Sequence, residues 1–373
     1  FHSIPLHSIP LHSFPFHSSR FHSIPVTSIP YHSKQIKDNP LQENNYVVNG
    51  RGWNEELKSS YARLPERFKA IVPAKIWNLS GNSAGLTIRF FTNSRNLQVK
   101  YTIVKANQLP NMSRLNQEGV DLYATNKSGK THWIGNHMQW HWGDTLSFTF
   151  RDLETKEGTY ELYLPPYSTV ASLKIGSDKG AIFRFLPITN EKPVVIYGSS
   201  IVQGASPSRP GLTWTNPLKR LTGYNIVNMG FSGSCLMEPA LFDALSEIDA
   251  RCFVIDPIPN SYRLTDEEIT SRLRYGILRL RSKSKAPILV SESYPQIDIA
   301  FNPHAEDRMR AANKVLFETV KQLQKEGVSG LYYQFSKEIE FVEDAMIEAK
   351  HPNDIGCVAY AKAYQRTLRK ILR

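Results

Sequence analysis

Cysteine is scarce. The chain has three in 373 residues, Cys235, Cys252 and Cys357. An odd number at wide spacing argues against a disulfide framework, and Cys252 lies in an apolar run, as buried strand cysteines do. No stretch is apolar enough over enough residues to span a bilayer. Nucleic-acid-binding motifs are absent. The formal net charge is +11, of which the first 38 residues supply +2, so the remainder is basic in its own right. A basic surface favours anionic polymers in general, but these residues are spread out rather than clustered, and a nucleic-acid partner is discounted. The closing Arg366-Thr367-Leu368-Arg369-Lys370-Ile371-Leu372-Arg373 reads as the wet face of a last helix, not a membrane anchor. Metal-ligand sets are also missing. His132, His137 and His141 lie among tryptophans, and His137 and His141 could share a strand face, but no Cys or carboxylate completes a site. No metal or cofactor is expected.

Three stretches of different character follow one another. The first 35 residues are seven pentapeptides, FHSIP, LHSIP, LHSFP, FHSSR, FHSIP, VTSIP and YHSKQ, and hold six of the eleven histidines. The recurring proline excludes a helix and nothing patterns as a packed sheet. Residues 1–40 are therefore expected to be unstructured. A His-rich tract can bind metal loosely, but the period is also what a simple nucleotide repeat would encode. The chain opens on Phe1, so the tract reads as a truncated or mis-started reading frame, with a native N-terminus and secretion signal expected outside it.

From about 45 to 188 no helical periodicity of any length is present. Short alternating runs occur instead, at 84–91, 97–104, 145–150 and 159–164, separated by turn residues at intervals suited to a β-sandwich. From 190 to 373 strand and helix alternate. Strands are predicted at 193–197, 225–228, 252–255, 287–290 and 330–333. Amphipathic helices are predicted near 212–222, 238–248, 266–283, 305–326 and 354–372. That order gives a parallel sheet with helices on both faces. Without the tract, about 335 residues remain, in keeping with two domains of ~150 residues or more.

Four short segments of the last stretch supply complementary chemistry. Pro193-Val194-Val195-Ile196-Tyr197 is a buried-strand run that ends in Gly198-Ser199-Ser200-Ile201. Gly and small hydroxyl residues allow a sharp turn that presents a side chain at the carboxyl edge of the sheet, where open α/β sheets bind ligands. A helical turn beginning near Ser200 would add free N–H groups that favour negative charge. Asn228-Met229-Gly230-Phe231-Ser232-Gly233 and Pro259-Asn260 also follow strand ends. His351-Pro352-Asn353-Asp354 precedes the last helix, with Pro expected in its first turn, and neutral imidazole there can take a hydroxyl proton and return it. Nucleophile, oxyanion donors and base are the parts an acyl transfer needs.

The constellation resembles the SGNH (GDSL-type) hydrolases over residues 190 to the end. Gly198-Ser199-Ser200-Ile201 is similar to the block that carries the nucleophile, which would be Ser200. Gly233, Asn260 and His351 are similar to the glycine, asparagine and histidine of the later blocks. The resemblance implies a flavodoxin-like three-layer α/β/α domain. It also implies an oxyanion hole of the Ser200 and Gly233 N–H groups and the Asn260 amide. One position departs: the usual Asp three residues before the His is Glu348, one methylene longer. Asp344, seven residues before, is a poorer candidate. Glu348 could orient the ring, since triads with Glu exist. Alternatively a backbone carbonyl could hold it in a Ser-His dyad, or catalysis could be lost. Gly119-Val120-Asp121-Leu122-Tyr123 resembles the Gly-x-Asp-Leu-Tyr motif of a jelly-roll-like β-domain preceding some SGNH hydrolases. Residues 205–211 and 231–239 are similar to the same two-domain group, several members of which act on acetylated carbohydrates and are secreted or periplasmic.

The expectation is a serine esterase that removes acyl groups, acetyl foremost, from a small-molecule or polysaccharide ester through an acyl-enzyme. A lipid esterase or thioesterase, and a carbohydrate-binding protein that has lost catalysis, remain open. The oligomeric state is not encoded in any motif.

Overall fold

The computed structural model describes residues 34–36, 39–136, 142–153, 159–294, 301–302, 304 and 306–372. The pentapeptide tract up to residue 33, and His137 and His141, lie outside them. At the end of the tract Lys34–Ile36 (β1) is a strand, contrary to the expected lack of structure. It lies beyond the last pentapeptide proline, so its N–H groups are free to pair.

The first half is built from short strands: Val48–Asn49 (β2), Thr87–Thr92 (β3), Leu97–Ala106 (β4), Asp121–Thr125 (β5), Thr131–Gly135 (β6), Thr145–Phe150 (β7), Thr159–Tyr163 (β8), Ser168–Asp178 (β9) and Phe183–Phe185 (β10). They form two antiparallel sheets. One has the order β1-β9-β4-β7, and the other β10-β3-β8-β5-β6 with β2 on β3. Burial along β4 alternates residue by residue, as a strand with one covered face requires. Val99, Tyr101, Phe148 and Ile175 of one sheet share a buried cluster with Ile88, Phe90, Leu122 and Leu162 of the other.

Two helices interrupt this half where none is expected, Ala74–Ser80 (α1) and Arg114–Glu118 (α2). Seven and five residues are too few to show a 3.6-residue period. Ser113 caps α2 by accepting from the Asn116 N–H at 3.0 Å.

The second half is a five-stranded parallel sheet of Val194–Gly198 (β11), Ile226–Gly230 (β12), Cys252–Asp256 (β13), Ile288–Ser291 (β14) and Leu331–Gln334 (β15), in the order β12-β11-β13-β14-β15. Numbered from its own first strand this is 2-1-3-4-5, the flavodoxin-like order. Between the strands run Ser200–Gln203 (α3), Thr215–Thr222 (α4), Pro239–Leu245 (α5), Ile258–Ser261 (α6), Asp266–Lys283 (α7) and Asp307–Lys325 (α8). After β15 come the hairpin Met346–Glu348 (β16) and His351–Pro352 (β17), then Asp354–Ile371 (α9).

Successive residues of β11 face opposite layers. Val195 and Tyr197 pack with Leu241, Leu273 and Leu316 of α5, α7 and α8. Val194 and Ile196 pack with Leu218 of α4 and Tyr364 of α9. Thr265 and Glu268 form a reciprocal capping box that starts α7 at Asp266. No described helix is long and apolar enough to cross a membrane.

The β sheets keep a buried cluster of their own, but part of the first half packs outside it. Trp53, Leu57, Leu64, Phe68, Val72, Ile76 and Leu79 precede the long strands of the β half, yet they bury in the cluster on the α5/α7/α8 face of the parallel sheet. Arg63, fully buried, donates to the Leu79, Asn82, Asn228 and Gly230 carbonyls at 2.7–3.2 Å and so ties β12 to this segment. Burial lowers its guanidinium to about 9. The four carbonyls compensate for the lost hydration.

Candidate active site

Three parallel strands end side by side. Gly198 is in register with Gly230 on one side and Asp256 on the other. Ser200, Gly233 and Asn260 follow those ends by two, three and four residues, so all three stand at the carboxyl edge of the sheet. Ser199 caps α3 by accepting from the Ile201 N–H at 3.3 Å, which leaves Ser200 as the first helical residue. A side chain at Gly230 would collide with the backbone of α3 at Val202 and Gln203, and glycine there lets the turn seat on the sheet. Gly233 has φ +62°, a left-handed conformation suited to glycine. Neither the Ser200 nor the Gly233 N–H donates to a described residue. The Asn260 amide donates one hydrogen to the Ser234 carbonyl at 2.6 Å.

His351 comes from outside the sheet. It stands in β17, and Pro352 lies two positions before α9 rather than in its first turn. Asn353 is the cap, accepting from the Ile355 and Gly356 N–H groups at 2.9 and 3.2 Å. In the hairpin Glu348 is the cross-strand partner of His351. His351 Nε2 lies 2.8 Å from Ser200 Oγ, and Nδ1 is hydrogen-bonded to Glu348 Oε1. A register irregularity between Met346 and Glu348 accompanies the pairing that brings the longer acid to the ring. Among the described residues Asp344 is not hydrogen-bonded to the ring; its carbonyl accepts from Asn353. Nδ1 facing a carboxylate carries the proton, so Nε2 presents its lone pair to the serine hydroxyl. Burial opposes ionisation of Glu348. The His351 bond and charge, the Asn111 amide and the Lys350 N–H outweigh it and hold the carboxyl below its usual value.

The β half reaches Ser200, Gly233, Glu348 and His351. Tyr167 OH lies 3.4 Å from the Ser200 carbonyl, Lys75 Nζ donates to the Gly233 carbonyl at 2.9 Å, and Asn111 approaches Glu348 and His351. Asp121 and Tyr123 of the Gly-x-Asp-Leu-Tyr segment hold the loop after Ser200. Arg209 pairs with Asp121 and donates to Tyr123 OH at 2.8 Å, and the Gly211 N–H reaches Asp121 at 3.0 Å. Lys75, Tyr167 and Asn111 carry no signal in the sequence, since each is a lone polar residue far from the four segments.

A cleft of about 260 Å³ opens beside the centre, lined by Ile201, Pro259, Tyr262, Tyr294, Met309 and Lys350 among others. A hydrogen bond from Arg263 and the neighbouring Lys350 ammonium lower the Tyr262 phenol. Among the described residues no three His, Cys, Asp or Glu side chains converge on a point that could hold a metal.

The family model for GDSL-like lipases/acylhydrolases matches residues 191–369, and that for the N-terminus of SGNH-hydrolase-type esterases matches 38–183. A GDSL-like lipase from Bacteroides ovatus is 33% identical in sequence with a TM-score of 0.82, over 91% of this chain and 98% of the lipase. The chain belongs to the GDSL-like lipase/acylhydrolase family. As a member of that family it is a carboxylic ester hydrolase. Two more distant structures share the fold. The salicylyl-acyltransferase SsfX3 of a tetracycline biosynthetic pathway is 17% identical with a TM-score of 0.66, over 83% of this chain and 89% of its own. A family two carbohydrate esterase from Clostridium thermocellum, solved with cellohexaose, is 10% identical with a TM-score of 0.51, over 76% of this chain and 91% of its own. No curated protein matches the sequence.

Proposed function

We propose that this GDSL-family esterase removes acetyl or similarly short acyl groups from carbohydrate, through an acyl-enzyme on Ser200. The observation that carries the reading is the line Ser200 Oγ, His351 Nε2, His351 Nδ1, Glu348 Oε1. His351 takes the hydroxyl proton as Ser200 Oγ adds to the ester carbonyl, and Glu348 stabilises the imidazolium that forms. The Ser200 and Gly233 N–H groups and the Asn260 amide receive the developing oxyanion. The imidazolium then protonates the departing sugar oxygen, which leaves as a hydroxyl. A water deprotonated by His351 releases the acid from Ser200, which regains its proton.

The cleft of about 260 Å³ lined by Ile201, Pro259 and Lys350, chain neighbours of Ser200, Asn260 and His351, is where an acyl group would lie in this reading. The carbohydrate part draws on the likeness to the family two carbohydrate esterase. In this reading the two units expected on either side of residue 190 act as one catalytic body.

Hydrolysis of p-nitrophenyl esters of graded chain length, followed by acetate release from acetylated oligosaccharides, tests it. Turnover peaking at acetate and lost in Ser200→Ala is expected. A maximum at long chains would transfer the assignment to lipid or thioester substrates. Absence of any Ser200-dependent turnover, with sugar binding retained, would leave the binding-protein alternative.

A further inference from the structure

Glu348 poses a problem that an aspartate would not. Its extra rotatable bond gives the carboxylate more positions to visit, and holding it on the imidazole costs more entropy. The hairpin settles one oxygen: Oε2 accepts from the Lys350 N–H at 3.0 Å. The other, Oε1, meets His351 and also the side-chain amide of Asn111, at 3.3 Å. Asn111 Nδ2 lies 3.2 Å from His351 Nδ1 as well. With Nδ1 protonated toward Glu348 there is no lone pair for Asn111 to use, so its N–H serves the carboxylate. The reverse amide orientation would set an oxygen against that carboxylate.

Asn111 belongs to the loop between β4 and α2, and both ends of that loop are fixed. The Asn107 N–H donates to the Tyr167 carbonyl at 3.0 Å and its amide to Asn82 at 2.9 Å. The buried Gln117 amide spans the turn, accepting from the Leu109 N–H at 2.6 Å and donating to the Met112 carbonyl at 3.0 Å. Ser113 Oγ donates to the Ser208 carbonyl, in the loop after the nucleophile, at 2.6 Å. The amide is therefore held in place before any substrate arrives.

We propose that Asn111 is a positioning residue through which the β half fixes Glu348, and through it His351, in working orientation. This rests on the Ser200–His351–Glu348 reading above. The groups that act on the Glu348 carboxyl are the His351 ring, the Asn111 amide and the Lys350 N–H.

The test compares Asn111→Ala, Glu348→Ala and the double variant in the full chain. Asn111→Ala should lower kcat about 10- to 100-fold, as loss of a hydrogen bond to a charged group does, with KM nearly unchanged. The acidic limb of its pH profile should move to higher pH, because a carboxylate that loses a donor is more readily protonated and pulls harder on the imidazolium. In the Glu348→Ala background the same change should have an effect within about twofold of none. The downfield proton signal of His351 Nδ1–H gives a readout free of turnover: it should shift in Asn111→Ala and vanish in Glu348→Ala. An unchanged kcat, a cost that adds fully to that of Glu348→Ala, or an unmoved proton signal would each overturn the proposal. Absence of wild-type turnover would instead strike the esterase mechanism, and the proton signal would still decide on Asn111.

Discussion

The proposed nucleophile and the proposed base are held in different ways. Ser200 is 8% exposed at the end of a fully buried strand, with Gly230 and the Arg63 bridge beneath the neighbouring turn. His351 and Glu348 sit on a hairpin of two and three residues outside the sheet, with side chains 19% and 37% exposed. The first position follows from the hydrophobic core. The second depends on individual polar contacts, which include the Asn353 cap, the Lys350 N–H and Asn111. In the proposed mechanism the fold thus places the nucleophile and side chains place the base, and the two should fail differently.

The sharpest contrast comes from the proposed reacting groups. Ser200→Ala should cost about a million-fold in kcat and Glu348→Gln about ten-thousand-fold, both with unchanged unfolding curves. Equal losses would erase the distinction between nucleophile and orienting acid. On the sheet side Arg63→Met leaves four buried carbonyls without their donor and should destabilise by about 3–5 kcal/mol, read by denaturant unfolding.

Next in size is Asp256, buried at the end of β13 with one carboxylate oxygen unpartnered among the described residues and its carboxyl pushed up to about 7. An acid raised in the folded state weakens the fold as pH climbs, because the unfolded chain sheds its proton first, near 3.9. Asp256→Asn should therefore gain on the parent by about 3 kcal/mol between pH 5 and pH 8. A constant difference across that range would mean that the carboxyl is ionised throughout. The smallest effect belongs to the hairpin. Asn353→Ala removes a cap and two bonds to the Asp344 and Met346 carbonyls, and should cost about 1 kcal/mol of stability while lowering kcat. If Arg63→Met lowered kcat as much as Asn353→Ala at equal residual folding, the comparison would not hold.

What can be read from the chain follows the same division. Buried parallel strands are continuous runs such as Val194-Val195-Ile196-Tyr197, and α7 begins with a Thr-x-x-Glu box, so the alternation from 190 onward is plain in the residues themselves. Ser200, Gly233 and Asn260 are marked by their places after such strands. The hairpin is not visible in the same way, because two strands of two and three residues leave no period, and Pro352 mimics a helix start. Neither is Asn111. A single asparagine in Leu109-Pro110-Asn111-Met112 looks like any turn, and its partner lies 237 residues away. The helix Ala74–Ser80 escapes for want of length.

The burial of Trp53 through Leu79 against the parallel sheet bears on how the chain comes apart. Chain order and packing order disagree there: a segment translated before the long strands of the β sheets completes the layer beside β12. A protease that nicked the stretch between β10 and β11 would not free two folded pieces. The catalytic fragment would lose Trp53, Phe68 and Ile76 from one wall and expose that apolar surface to water. Cleavage products would stay together until denatured, and heating would melt both halves in one step. The gene can be cut at residue 190, but the enzyme cannot.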